Sequence, residues 1–287
     1  MAVGTTRGKR RLGRFVKPIR QRSGRKPDEV AKLAVCSRQT VQRLESGDAL
    51  PSLGRLSAIL GVIGATDEER AHAEQLWQVA NADTTTIQHA ENLSAKYRRF
   101  RMDEAEAVKE RTLDTVIVPG LLQTPEYAAE IARGRKRLDR STDWEKHAGD
   151  ERRDRQALLL RDRNPLVLHA LIHEAALHTV VGGPEVMAAQ LDLLITMSEL
   201  PHVTIQIVPL DHGAHGAMTG PWFLLSFPED DEPDSAYAES VTGLDTVEKP
   251  EDVAGLSDIW EAIAATAPSP QRSAEIIESA KGRGNQA

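Results

Sequence analysis

The chain has 287 residues, 40% hydrophobic and 28% charged, with a formal net charge of −7; that length leaves room for two domains with buried cores. No apolar run reaches membrane-spanning length, and the basic start (RGKRR) is not followed by a hydrophobic signal core. The single cysteine excludes an internal disulfide framework, so a reducing cytoplasm is expected.

Charge is sharply divided along the chain. Residues 1–60 hold 14 Lys/Arg against 4 Asp/Glu, a net of +10, and the remainder holds 22 against 39, a net of −17. A basic head on an acidic body is the pattern of a polyanion-binding module with a separate partner domain. Residues 1–8 read as a mobile basic arm, with Arg7, Lys9, Arg10 and Arg11 available to track phosphates. The first helix carries Leu12, Phe15, Val16 and Ile19 on one face. Pro18 inside it predicts a kink or a late start, and Gly24 predicts its end. Pro27 suits the first position of a second helix, with Asp28 and Glu29 at its positive end.

Residues 30–47, VAKLAVCSRQTVQRLESG, predict two short helices joined by a tight turn. Ala31, Leu33 and Ala34 lie on the first helix and Val41 and Leu44 one turn apart on the second, the small Ala31 allowing close approach. Cys36, at an apolar turn position, reads as small core filling. Ser37 stands where the second helix must begin, as its N-cap. Arg38, Gln39, Gln42 and Arg43 then point outward, with Thr40 beside them. Arg pairs bidentately with guanine and Gln with adenine.

With those residues in place, the stretch resembles the helix-turn-helix of the lambda-repressor-like (XRE) regulators. The resemblance rests on Ala31, on Ser37 and on the closing Glu45, Ser46 and Gly47. Pro51 and Ser52, followed by an apolar helix with Leu53, Leu56, Ile59 and Leu60, extend it. It implies a five-helix all-α domain whose helix from Ser37 enters the major groove of double-stranded DNA. It further implies a homodimer on half-sites about one helical turn apart, and an ion pair between Glu45 and Arg20. The family often holds a phosphate with Ser, Thr or Gln near position 27; Pro27 cannot donate a backbone bond, which leaves Arg25 or Lys26 for that role. Val35 departs from the Gly usual in the turn. A β-branched residue is costly at positive φ, so the turn is expected to be opened or strained.

A further helix over residues 68–80 turns Leu76, Trp77 and Ala80 inward, and NADTTT at 81–86 is the linker candidate. Beyond it, a polar helix over about 90–110 precedes a short strand at 115–118. Thr124 and Pro125 then cap and start a helix that faces Tyr127, Ala128 and Ile131 inward. A charged helix spans 143–161. Strands are expected at 166–172, 203–209, 222–227 and 236–241. Gly182-Gly183-Pro184 opens a helix carrying Val186, Met187, Gln190, Leu191, Leu194 and Met197, and two helices over about 253–265 and 270–280 close the chain. The expected organisation is a helix-turn-helix domain with its arm (1–80), a linker (81–89), a mixed α/β (α+β) domain (90–282) and a disordered tail (283–287).

VPGLLQTPEY at 118–127, with Arg152-Arg153-Asp154-Arg155-Gln156, His173-Glu174-Ala175-Ala176-Leu177, Gly182-Gly183 and Gln190-Leu191, carries a second resemblance. It is to the uncharacterised C-terminal domain of a large actinobacterial regulator family, some of whose members are described as antitoxin-like and associated with small partner proteins. The domain reads as regulatory, either a sensor whose pocket binds a small molecule or, as the antitoxin-like resemblance implies, a surface for a small protein partner; the resemblance implies no defined chemistry.

The residues themselves give no catalytic, cofactor or metal site. On a strand, His169 and His173 share a face some 13 Å apart, too far for one ion, and His212 and His215 sit in a DHGAHG loop without zinc-ligand spacing. There is no nucleophile elbow, phosphate-binding loop or dinucleotide fingerprint. Gly182-Gly183 before a helix offers an anion site or simply a turn. Arg153, Arg155, Glu174, His215 and Glu239 are candidates to line a common pocket. The expectation is a cytoplasmic, sequence-specific regulator with no membrane partner, reading DNA through Ser37, Arg38, Gln39, Thr40, Gln42 and Arg43, with Arg25 or Lys26 on a phosphate. The alternative makes the C-terminal domain an enzyme or a pure protein-interaction module, with the head as a nucleic-acid anchor.

Overall fold

The computed structural model describes residues 6–82, 87, 93–134, 144–228, 233–240, 243–247 and 249–284. The chain divides into two compact units: Met1–Ala90 with Arg101–Glu106, and Glu91–Phe100 with Ala107–Ala287.

The first unit is built of α1 (Arg7–Arg22), α2 (Pro27–Leu33), α3 (Arg38–Glu45), α4 (Leu53–Val62) and α5 (Asp67–Ala82). Leu12, Val16 and Ile19 of α1 are buried against Val30, Ala31, Val41, Leu44, Leu56, Ile59 and Leu76. Phe15 is half-buried and sets its ring edge-on to His72 at 4.7 Å. α1 starts well before Pro18 and runs through it, so a late start is excluded. The expected arm is corrected in part. From Arg7 it is helix, Arg7 and Arg10 are buried, and Arg10 pairs with Asp103 of the same unit; residues 1–5 lie outside the described residues. α2 ends at Leu33, which is 57% exposed, and Val30, Ala31 and Ala34 supply the inward stripe. Gly13 sits where α1 crosses the end of α3. A Cβ there would collide with the backbone oxygens of Leu44 and Glu45.

Among the described residues, the second unit is a six-stranded mixed sheet with helices on both faces. Its elements are α6 (Ala95–Glu106, whose last residues cluster with the first unit), β1 (Lys109–Asp114), α7 (Pro125–Gly134), α8 (Trp144–Gln156), β2 (Val167–His173), α9 (Ala175–His178), α10 (Pro184–Ser198), β3 (Val203–Val208), β4 (Trp222–Ser226), β5 (Ser235–Ser240), β6 (Gly243–Val247), α11 (Pro250–Thr266) and α12 (Pro270–Gly284). The strand order is β3-β2-β1-β4-β5-β6. β1, β2 and β3 are parallel, joined by helical crossovers, whereas β4, β5 and β6 are antiparallel.

Alternation along the strands makes two cores. Leu168, Ala170, Ile205, Ile207, Phe223 and Tyr237 pack with Phe100, Tyr127, Leu191, Leu194 and Ile277 on one face. Leu113, Leu171, Trp222, Leu224 and Ala236 pack under Trp260 and Ile263 of α11 on the other. The caps expected at Thr124 and Gly183-Pro184 are present: the Tyr127 amide donates to Thr124 Oγ1 at 3.1 Å, and Pro184 is the first residue of α10. The strand expected at 115–118 is not there. Those residues form bends and loop after β1, and the strand is the charged KERTLD before them, five of its six residues buried. The polar helix is accordingly shorter, since Lys109 and Glu110 belong to β1. Of the linker candidate, residues 81 and 82 finish α5, and 83–86 lie outside the described residues. Of the tail, 283 and 284 finish α12, and 285–287 lie outside them.

Candidate functional site

The outward face of the first unit begins at a cap. Ser37 Oγ accepts the Thr40 amide at 3.1 Å and lies 2.9 Å from the Thr40 hydroxyl, starting α3 where the sequence placed its start. Val41 and Leu44, one turn apart, are each 1% exposed. Helical periodicity leaves Arg38, Gln39, Gln42 and Arg43 exposed on the opposite face, with Thr40 half-buried at its flank. Arg38 reaches Asp28 at 3.4 Å, and Arg43 Nη2 reaches the Asp48 carbonyl at 3.4 Å. Such exposed contacts are weak in water and give way readily to a phosphate or a base edge. Of the two phosphate candidates, Lys26 is exposed. Arg25 donates inward to the Val62 carbonyl at 2.6 Å.

Two devices hold α3 in place. Arg20 and Glu45 form a two-pronged pair, Nε to Oε1 and Nη2 to Oε2 at 3.0 Å, with side chains only 12% and 9% exposed. The hydrogen bond to Glu45 raises the Arg20 guanidinium pKa above its ordinary value, against the lowering effect of burial. The second device is the turn. Val35 is at φ +54° with its side chain turned to solvent, so the departure from Gly is met by strain and not by opening. The Cys36 amide still returns to the Ala31 carbonyl at 2.9 Å. Cys36 itself is half-buried against this core.

The second unit holds a cavity of about 990 Å³, at the large end of small-molecule sites. Its floor is the end of β1. The Asp114 carboxyl is 3% exposed, and its Oδ2 accepts the Thr112 hydroxyl. Burial pushes this carboxyl up to about 7, and the Glu239 carboxylate adds to the rise; the Thr112 hydroxyl, Arg155 and Arg152 act in the opposite sense.

The walls are assembled from the sequence runs that carried the second resemblance. Gln123 Nε2 donates to the Val118 carbonyl at 2.7 Å, and Gln156 Nε2 to the Gln123 carbonyl at 2.6 Å. Gln190 donates to the Leu122 carbonyl at 2.6 Å and accepts the Thr124 amide at 2.8 Å. Arg152 donates to Gln123 Oε1 at 2.8 Å and to the Tyr97 hydroxyl at 3.0 Å, and pairs with Glu151 at 2.6 Å. Arg155 lies 5.3 Å from the Phe100 ring centre, and a Cβ on Gly120 would collide with its guanidinium. Phe100 in turn packs on Phe223 and Tyr237, centroids 5.4 and 5.1 Å apart.

Of the five pocket candidates, the structure brings Arg155 and Glu239 to this cavity. Arg153 instead pairs with Asp150 on the surface. Glu174 takes the Leu210 amide at 3.1 Å, and His215 stands beside His173 and His212, rings 6.1 and 5.4 Å apart. Sequence reading missed Asp114, Gly120, Gln123 and Arg152 as lining residues. The signal for the last three was there, in the motif that marked the family. His169, bonded to Gln206 at 2.7 Å and edge-on to Trp260, is a satisfied core histidine. Among the described residues no group of three or more His, Cys, Asp or Glu is placed to hold a metal ion. Nor is any helix among them long and apolar enough to cross a membrane.

Residues 97–279 match the family model described as a domain of unknown function, DUF5753. The chain belongs to the DUF5753 family. Apart from Ser94, Ala95 and Lys96, the residues that line the cavity fall inside the DUF5753 region. Residues 11–73 match a helix-turn-helix domain, which marks the first unit of this DUF5753 protein as DNA-binding and the chain as a regulator by type. No curated protein and no solved structure matches it.

Proposed function

We propose that this chain is a sequence-specific transcriptional regulator of the lambda-repressor-like (XRE) type, acting in the cytoplasm. α3 enters the major groove, with Arg38, Gln39 and Arg43 reading base edges, Gln42 and Thr40 beside them, and Ser37 at the groove edge. Lys26 lies on the exposed surface where it can neutralise a phosphate, while Arg25 braces the domain from inside. A homodimer on two half-sites supplies affinity, and the second unit, of the kind described as antitoxin-like, sets activity through a small ligand or a small protein partner. The reading assigns the second unit no reaction, cofactor or metal.

One observation carries it: a short helix, capped at Ser37 and braced by Arg20–Glu45, presents four exposed Arg and Gln side chains on the face opposite its buried Val41 and Leu44. Fluorescence anisotropy with a selected duplex tests it. Arg43→Ala is expected to cost about 1–3 kcal/mol at one base step and to relax the preference there. Equal weakening on every sequence would move Arg43 to a phosphate contact.

A further inference from the structure

The cavity of the second unit is placed by the sheet. Asp114, on its floor, is the last residue of β1. β1 is the strand at which the chain diverges, to β2 and β3 on one side and to β4 through β6 on the other. Open sheets take ligands at the carboxyl end of strands at such a reversal. The walls above that floor are mainly apolar. Phe100, Phe223 and Leu244 are buried core residues that reach the cavity, and Ile131 and Val181 pack beside them. About 990 Å³ bounded by such side chains suits an organic molecule that buries most of its surface there.

The charged side chains on these walls balance. Among the described residues Asp114, Glu130 and Glu239 line the cavity together with Lys96, Arg152 and Arg155, three of each sign. Lys96 pairs with Asp245, Arg152 with Glu151 at 2.6 Å, and Glu130 with Arg133. Asp114 lies in opposing fields: Arg155 and Arg152 favour its carboxylate, and Glu239 disfavours it. An ammonium ligand is repelled by the arginines, and a carboxylate or phosphate ligand by Asp114 and Glu239. Neither ion recovers the hydration it gives up on entry. An uncharged molecule meets neither cost.

Within an apolar cavity a few fixed polar groups set orientation and specificity. Asp114 is placed to be one of them. Its side chain is 3% exposed, and its Oδ2 is occupied by the Thr112 hydroxyl; among the described residues, Oδ1 is left to the cavity. Burial leaves the carboxyl titrating at about 7. Near neutrality it is therefore present both as an acid, which donates, and as a carboxylate, which only accepts. A ligand hydroxyl answers either form, because it both donates and accepts.

We propose that this cavity binds an uncharged, predominantly apolar organic alcohol as the protein's effector, its hydroxyl on Asp114 Oδ1 and its hydrocarbon body against Phe100, Phe223 and Leu244. The effector role rests on the reading of the second unit as a control domain; the site itself does not.

The test is equilibrium dialysis of the full chain at pH 7 against four matched probes: 4-biphenylmethanol, 4-methylbiphenyl, 4-biphenylmethylamine and biphenyl-4-carboxylate. The alcohol is expected to bind saturably, about fivefold more tightly than the hydrocarbon through its one hydrogen bond, and about tenfold or more above either ion. No saturable binding of the alcohol, or binding of the hydrocarbon or of either ion as tight as the alcohol, overturns the site. Asp114→Leu should bring the alcohol down to the level of the hydrocarbon, with a melting curve confirming that the variant folds. Asp114→Asn, which keeps a hydrogen-bonding edge, should hold the alcohol within about threefold of the parent chain. An alcohol preference that survives Asp114→Leu, or a tenfold loss in Asp114→Asn, overturns the role of Asp114. A separate arm titrates a selected DNA duplex with alcohol-saturated protein, whose DNA affinity should differ from that of the free protein. Unchanged DNA affinity there, with alcohol binding intact, overturns the effector role alone.

Discussion

Arg55 closes the turn that Val35 strains. Its Nη1 donates to the Ala34 carbonyl at 2.7 Å and to the carbonyl of Val35 itself, whose φ is +54°. A residue of α4 thus holds in place the turn that orients α3. The left-handed conformation costs a residue with a Cβ about 1–2 kcal/mol, and Val35 recovers little by burial because its side chain is 79% exposed. Val35→Gly should therefore stabilise the first unit by about 0.5–1 kcal/mol after the added chain entropy of glycine. Arg55→Ala should destabilise it by about 1–2 kcal/mol through two carbonyls left unanswered. Calorimetric unfolding reads both, and a lower midpoint for Val35→Gly would show that the valine side chain is needed in the turn.

Arg20 and Glu45 form a pair of which water reaches little. Removing one partner of a buried pair leaves the other charge uncompensated, so Glu45→Ala should cost about 2–3 kcal/mol. DNA affinity should fall while the order of preferred sequences stays the same, because Glu45 positions α3 without touching a base. A changed order of preference, read by binding to a panel of duplexes, would place Glu45 at the interface.

Asp114 makes a signed prediction for pH. Its carboxyl, ordinarily near 3.8, is raised to about 7 in the fold. Below 3.8 both folded and unfolded chains hold the proton, and the group contributes no pH dependence. Between about 4 and 7 only the folded chain holds it, so stability falls as pH rises, by about 1.4 kcal/mol per unit from this group alone. Above 7 the penalty is complete. Asp114→Asn, which keeps an acceptor for the Thr112 hydroxyl, should flatten that slope and raise the melting temperature of the second unit at pH 8. An unchanged slope in the variant would assign the pH dependence elsewhere.

What was legible in the sequence was local. Ser37, Pro27, Thr124-Pro125 and Gly183-Pro184 mark helix starts because a cap is decided by one residue and its next turn. The central strand was misread for a reason that is not local. Thr115-Val116-Ile117-Val118 has the composition of a strand, whereas Lys109–Asp114 has that of a surface. Yet β1 is buried, and distant residues meet the charge of its Arg111. Arg111 donates to Ser257 at 2.8 Å, to Glu261 at 3.0 Å and to Asp234 at 2.9 Å. Those partners lie more than a hundred residues along the chain, and no local pattern announces them. The cavity was half legible for the same reason: its walls repeat sequence motifs, but Asp114 meets Glu239 only through the register of three strands.

The most direct test of DNA reading by α3 is selection of bound duplexes from a random-sequence library with the full chain, at two salt concentrations. Two enriched half-sites about one helical turn apart are expected, with Arg38→Ala, Gln39→Ala and Arg43→Ala each altering preference at its own base step. Salt-sensitive binding with no enriched motif would contradict the account, leaving the basic head as an electrostatic anchor.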